Sequence, residues 1–208
     1  MPTRFKKANL FGGAIVCDLP ENFADVSQIR QVPNNQEVYI DKDGFTSIII
    51  DITERVNATG DTALERDGRA LTIHLEDLVG DDADTVKVWN TSETEFSHLP
   101  EGTPAYTLIA TQTPRQPPPA PEDDPSAPRS QRSAPNFTAI ILTLVRLERE
   151  KSDILVTINV PHIPGEYDEE EVDLELGKQG VLIGDAVEYA ARIWSSFEVK
   201  RWGLFGEV

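Results

Sequence analysis

The chain reads as an α+β protein: a mostly antiparallel sheet of about six strands with helices on both faces. Three observations predict this. Residues 137–147 and 154–160 are dense in aliphatic and β-branched side chains, and the charged stretch between them is short enough for a hairpin. Hairpins pair antiparallel. Ile48, Ile49 and Ile50 stand in succession, which suits a strand covered on both faces. Near the C-terminus, Ile183, Ala186, Val187, Ala190, Ile193, Trp194 and Phe197 recur at steps of three and four. That is the apolar stripe of a helix packed on a sheet.

The other elements follow in order. Residues 14–19 predict a first strand after the Gly12–Gly13 pair. Residues 21–29 predict a loop with one helical turn, capped by Asp25 or Ser27. Residues 36–41 alternate Val38 and Ile40 against Glu37 and Tyr39, a half-buried strand. Lys42, Asp43 and Gly44 make a turn into the isoleucine strand at 45–53. Over 61–78 the first half has a helical pattern, while residues 71–75 alternate as a strand would. Residues 85–90 and 105–113 predict two more strands.

Residues 114–135 hold eight of the chain's 15 prolines and no large apolar side chain. Such a segment cannot bury enough area to order itself. It is expected as a disordered loop inserted into one domain spanning residues 1–208. Loop length costs little, since each doubling adds about 0.6 kcal/mol. Beyond an inert insertion, residues 117–121 after Arg115 offer a polyproline ligand for SH3- or WW-type domains.

Thirty-six acidic residues stand against 19 basic ones, a formal net charge of −17. The balance argues against nucleic acid and anionic membranes as partners and for a basic protein surface. Cys17 is the only cysteine, so no internal disulfide forms, and its apolar neighbours predict a core residue rather than a nucleophile. The N-terminus shows neither a signal-peptide core nor a transit-peptide composition, and no apolar run approaches the roughly 20 residues of a membrane span. A soluble intracellular protein is expected, with no glycan at the sequons of Asn57, Asn90 and Asn136.

No set of side chains points to bond chemistry. His74, His98 and His162 lack partners at metal-ligand spacing, and His74 reads as a structural residue. There is no nucleophile elbow, phosphate-cradling loop or dinucleotide fingerprint. The seven acids between 166 and 175 lack the spacing of a calcium loop and read as a solvated stretch. No cofactor, metal or catalytic residue is expected.

Several segments carry a resemblance. LFGGA stands at 10–14, PENFADVSQIRQVPNNQEV at 20–38 and SIIIDITE at 47–54. The most specific element is Arg30, Val32, Pro33, Asn34, Asn35, Gln36, Glu37 and Val38. His74-Leu75-Glu76-Asp77, residues 144–147 with 153–161, and Gly203-Leu204-Phe205-Gly206 agree with it. In this order they resemble the Ran guanine nucleotide release factor, or Mog-one, family. The resemblance implies an antiparallel sheet between helices, related in shape to the photosystem protein PsbP. It also implies a non-catalytic monomer that binds the GTPase Ran, releases its nucleotide and supports nuclear import between nucleus and cytoplasm. The implied contact surface is acidic and lies around the motif, at Arg30, Asn34, Asn35, Gln36 and Glu37. Asn34 replaces the family's usual Asp and removes a local charge. Strand alternation puts Glu37 opposite Val38 and Ile40, where it can meet a basic patch. Other readings are an acidic adaptor or trafficking factor for another partner, a PsbP-like structural role, and an enzyme using scattered carboxylates.

Overall fold

The computed structural model describes residues 3–27, 32–115 and 134–206. From the N-terminus, β1 (Phe5–Leu10) passes through a short turn at Phe11–Gly13 into β2 (Ile15–Pro20). Next come β3 (Phe23–Asp25), β4 (Gln36–Asp41), β5 (Ser47–Glu54) and α1 (Ala63–Val79). Four long strands follow: β6 (Val86–Glu93), β7 (Ala105–Gln112), β8 (Phe137–Leu147) and β9 (Ser152–His162). A small ribbon of β10 (Val172–Asp173) and β11 (Lys178–Gln179) leads into α2 (Gly180–Ser196), β12 (Glu198–Val199) and a one-turn helix at Trp202–Gly206.

The main sheet has seven strands in the order β3-β4-β5-β9-β8-β7-β6, every pair antiparallel. That is one strand more than expected, and β1, β2 and β12 form a second sheet besides. Among the strands not anticipated, β1 and β3 are weak in sequence for clear reasons. Only Ala8 and Leu10 of β1 are buried, among exposed lysines and asparagine. β3 is a three-residue edge strand on β4, standing where one helical turn was expected, and its Phe23 is fully buried.

Both faces of the main sheet are covered. On one, α2 and the N-terminal hairpin bury Tyr39, Ile48, Ile50, Ile141, Val156 and Ile158. On the other, α1 lies over β7 and β8 and buries Leu108, Ile140, Leu142 and Leu144. Because α1 is centred over β7 and β8, Ile49 is only half-buried while Ile48 and Ile50 are fully buried. The alternation in β4 is weighted opposite to its apolar pattern. Tyr39 is buried in the larger core, whereas Ile40 is half-exposed, because the N-terminal hairpin and α2 cover the tyrosine's face.

Residues 71–75 are helical, which corrects the strand-like reading. A capping box starts α1, with Thr62 accepting from the Glu65 amide and the Glu65 side chain accepting from the Thr62 amide. The inward residues are Asp67, Ala70, Leu71, His74 and Leu75. Two of these five are polar, so an apolar periodicity misses them.

Those two belong to a buried polar network. Arg146 of β8 is 2% exposed and faces its register partner Asp153 of β9, which is fully buried. Its Nε donates to Asp153 Oδ1 at 3.1 Å, its Nη1 to Asp67 Oδ1 at 2.8 Å, and its Nη2 to the Val56 carbonyl. Asp153 Oδ2 pairs with His74 Nε2 at 2.9 Å and accepts the Val56 amide at 3.0 Å. One guanidinium thereby joins the central hairpin, α1 and the 55–62 connection. Burial pushes the Asp153 carboxyl up, but His74, Val56 and Arg146 together pull it below the ordinary carboxylate range. His162 is fully buried at the end of β9, stacked on Phe137 at 4.1 Å, with Nδ1 on the Val160 carbonyl at 2.9 Å. Burial lowers its pKa against the pull of that carbonyl.

Two predictions follow from these buried groups. Arg146→Met strands the Asp67 and Asp153 carboxylates, and is expected to cost about 3–5 kcal/mol in urea unfolding. Acid should weaken the wild type in two windows. A neutral buried histidine adds stability above its unfolded pKa, about 6.5, and loses it as pH falls through the lower folded value. A depressed carboxylate does the same below its unfolded value of about 3.9. Urea midpoints measured from pH 8 to pH 2 should therefore fall twice, and His162→Leu should remove only the upper fall.

Candidate partner-binding site

The motif residues lie at the start of β4. The Pro33 carbonyl accepts the Gln36 amide at 3.0 Å, which closes a turn with Asn34 and Asn35 exposed at its tip. Asn35 extends the β4–β5 ladder: its carbonyl accepts the Ile52 amide at 2.9 Å and its Nδ2 donates to the Ile52 carbonyl at 2.9 Å. Gln36 points to the α1 side and donates Nε2 to Asp51 Oδ1 at 2.6 Å. Burial raises the pKa of Asp51 against that hydrogen bond. Arg30 lies outside the described residues.

Glu37 goes to the opposite face, paired with Ile50 and next to Tyr39. The alternation expected from sequence holds, but this face is packed rather than open, and Glu37 is half-buried. Its Oε1 accepts the Phe11 amide at 2.6 Å and its Oε2 the Ser27 hydroxyl at 3.2 Å. Ser27 Oγ in turn accepts the Val38 amide at 2.9 Å, and the Ser27 amide donates to Asp25 Oδ1 at 2.9 Å. Burial raises the pKa of the Tyr39 phenol, and the Asp25 and Glu37 carboxylates raise it further.

The structure thus separates Gln36 from Glu37 and adds residues outside the 30–38 element. Phe11, Asp25 and Ser27 gather around Glu37 from β1–β2 and β3. Asp25 and Ser27 were legible as capping residues, and the cap they form closes the turn after β3 instead of a helix. Phe11 had no local signal beyond its place in LFGG. Arg201 completes the arrangement by donating Nη2 to the Gly12 carbonyl at 2.9 Å. A groove of about 330 Å³ lies there, lined by Phe11, Ala14, Arg201, Gly203 and Leu204.

These groups can hold a protein surface by charge, hydrogen bonds and apolar contact. Among the described residues, no cluster of His, Cys, Asp and Glu is placed to hold a metal ion. Burial and Asp18 push the Cys17 thiol up to about 12, in keeping with a core residue rather than a nucleophile. No helix among the described residues is long and apolar enough to cross a membrane.

The family described as Ran-interacting Mog1 protein matches residues 8–161. A curated relative from Dictyostelium discoideum, named a probable Ran guanine nucleotide release factor, is 30% identical over 165 residues, covering 76% of this chain and 75% of the relative. The nuclear import protein mog1 of Schizosaccharomyces pombe is 27% identical over 158 residues, covering 73% and 75%. Among solved structures, the Saccharomyces cerevisiae Ran-binding protein Mog1p superposes with a TM-score of 0.67 at 24% identity, covering 98% of this chain and all of that one. The cyanobacterial PsbP of Synechocystis gives 0.51 at 12% identity, covering 96% and 94%, a likeness of fold alone. With the family match running from β1 into β9 and including the β4 motif, this chain belongs to the Ran-interacting Mog1 protein family.

Proposed function

We propose that this protein binds Ran, loosens its guanine nucleotide and so supports nuclear protein import, working between nucleus and cytoplasm. The observation that carries the reading is the family match across residues 8–161. The relatives' names, Ran guanine nucleotide release factor and nuclear import protein, support it. The contact surface centres on Glu37 with Asn34 and Asn35 at the neighbouring turn, and Arg30 belongs to the same motif. Gln36 contributes from the other face, by holding Asp51 and the β4–β5 register.

Release requires no bond chemistry. If the factor and the nucleotide each weaken the other's hold on Ran, the coupling is reciprocal. About 1.4 kcal/mol of coupling changes affinity tenfold. The net charge of −17 speeds encounter with a basic surface. Screening sets in beyond about 8 Å at physiological salt, so short-range contacts on the surface around Glu37 govern how long the complex lasts. Docking on Ran would then shift its nucleotide-binding loops.

The test is release of a fluorescent guanine nucleotide from purified Ran as the protein is titrated in. The wild type should accelerate release, and Glu37→Lys should bind at least tenfold more weakly and release correspondingly less. Equal affinity of the two for Ran would remove Glu37 from the site. No acceleration and no binding by the wild type would favour an acidic adaptor for another partner. Asn34→Asp restores a charge at an exposed turn. It should raise the association rate about two- to fivefold at low salt, with the gain vanishing in high salt.

A further inference from the structure

Phe11 has a φ of +50°, and Gly12 and Gly13 follow at +62° and +80°. A four-residue hairpin loop such as 11–14 is ordinarily built on a right-handed type I turn. Three successive left-handed residues, the first of them a bulky aromatic, are not what local preference selects. Such a conformation persists where surrounding structure over-determines it, and it gathers at functional surfaces. Two tethers do that here, each from a distant part of the chain. Glu37 Oε1 holds the Phe11 amide at 2.6 Å, and Arg201 holds the Gly12 carbonyl at 2.9 Å. The Lys200 and Arg201 amides both donate to the Ala14 carbonyl, at 2.8 and 3.1 Å, and fasten the tail to the same turn.

The held turn places Phe11, half-buried against the larger core, along the 330 Å³ groove, which Ala14, Arg201, Gly203 and Leu204 also line. The exposed Arg201 stands at its rim, and Trp202, 38% exposed, follows it. Glu37 does not itself line the groove; it reaches it through Phe11, whose amide it holds. Glu37 already spends one hydrogen bond on each oxygen within its own chain.

We propose that Glu37 is a positioning residue, holding the Phe11–Gly13 turn so that the groove between turn and tail receives an apolar side chain of the GTPase. This rests on the Ran-binding reading above. The chemistry of the walls sets the occupant: an aliphatic or aromatic side chain, flanked by an acidic group that takes the outward donors of Arg201. The site is therefore more than an acidic patch, and its apolar part is built by residues 11–14 and 201–204.

Glu37→Gln, Glu37→Ala, Phe11→Ala and Leu204→Ala, compared in the full chain by calorimetric titration with Ran, separate this from a direct ion pair. Glutamine keeps an acceptor for the Phe11 amide but removes the charge. Positioning predicts that Glu37→Gln stays within about twofold of wild type while Glu37→Ala loses about tenfold. Phe11→Ala should lose about tenfold, and Leu204→Ala, which leaves the turn intact, about threefold or more. Equal losses for Glu37→Gln and Glu37→Ala, with Phe11→Ala and Leu204→Ala binding as wild type, would overturn the proposal. The Phe11 amide gives a readout independent of Ran. Its proton should be exchange-protected in wild type and Glu37→Gln and lose protection in Glu37→Ala. An unchanged amide in Glu37→Ala sinks the positioning role. Wild-type protein that fails to bind Ran sinks the docking groove along with the Ran reading, and the amide still decides the positioning.

Discussion

The Arg146 guanidinium is the interaction on which the rest of the fold depends. It lies where β8 and β9 meet and collects Asp153, Asp67 and the Val56 carbonyl. Asp153 in turn collects His74 and the Val56 amide. A buried charge costs several kcal/mol to desolvate, so each member is tolerable only while the others are in place. That mutual requirement fixes α1 against the hairpin by directional bonds, where apolar packing alone would allow it to slide. With α1 held over β7 and β8, the face of β5 beyond it stays partly open, and Gln36 and Asp51 meet there.

The opposite face has a different logic. α2 and the second sheet close over Tyr39, Ile48 and Ile50 with aliphatic and aromatic side chains, among them the edge-to-face pair of Phe23 and Tyr189 at 5.7 Å. Glu37 enters this face at its margin. A half-buried carboxylate there needs donors, and the nearest are the amide of a strained turn and the hydroxyl of Ser27. Binding surface and fold are therefore joined at one residue. The same acid that marks the family motif also fastens the N-terminal hairpin to the main sheet.

Much of the fold was legible in the sequence. The limits of β8, the β8–β9 hairpin and the stripe of α2 follow from aliphatic density and from spacing at three and four, because those elements bury nearly all their inward side chains. β1 and β3 escaped because an edge or short strand buries only one or two residues, too few to make a pattern. The second half of α1 escaped because Leu71, Ile73 and Leu75 alternate as a strand would, and because His74 occupies a core position that periodicity assigns to an apolar side chain. At the site, Glu37, Asn34, Asn35 and Gln36 came from the order of the motif and alternation set Glu37 opposite Val38 and Ile40, while the structure put Gln36 on the α1 side with Asp51.

The sequence by itself thus determined the class of fold, the central hairpin, the C-terminal helix, the family and the strand that bears the motif. All of these rest on contacts between near neighbours or on a linear pattern. Only the tertiary structure decided that Arg146 joins two carboxylates, Asp67 lying 79 residues from it in the chain. It also decided that Glu37 holds an amide 26 residues before it, and that Arg201 caps a carbonyl 189 residues before it. These bonds join residues distant in the chain, and no local preference selects them. They form once the two cores have closed and leave each buried donor and acceptor with few partners within reach.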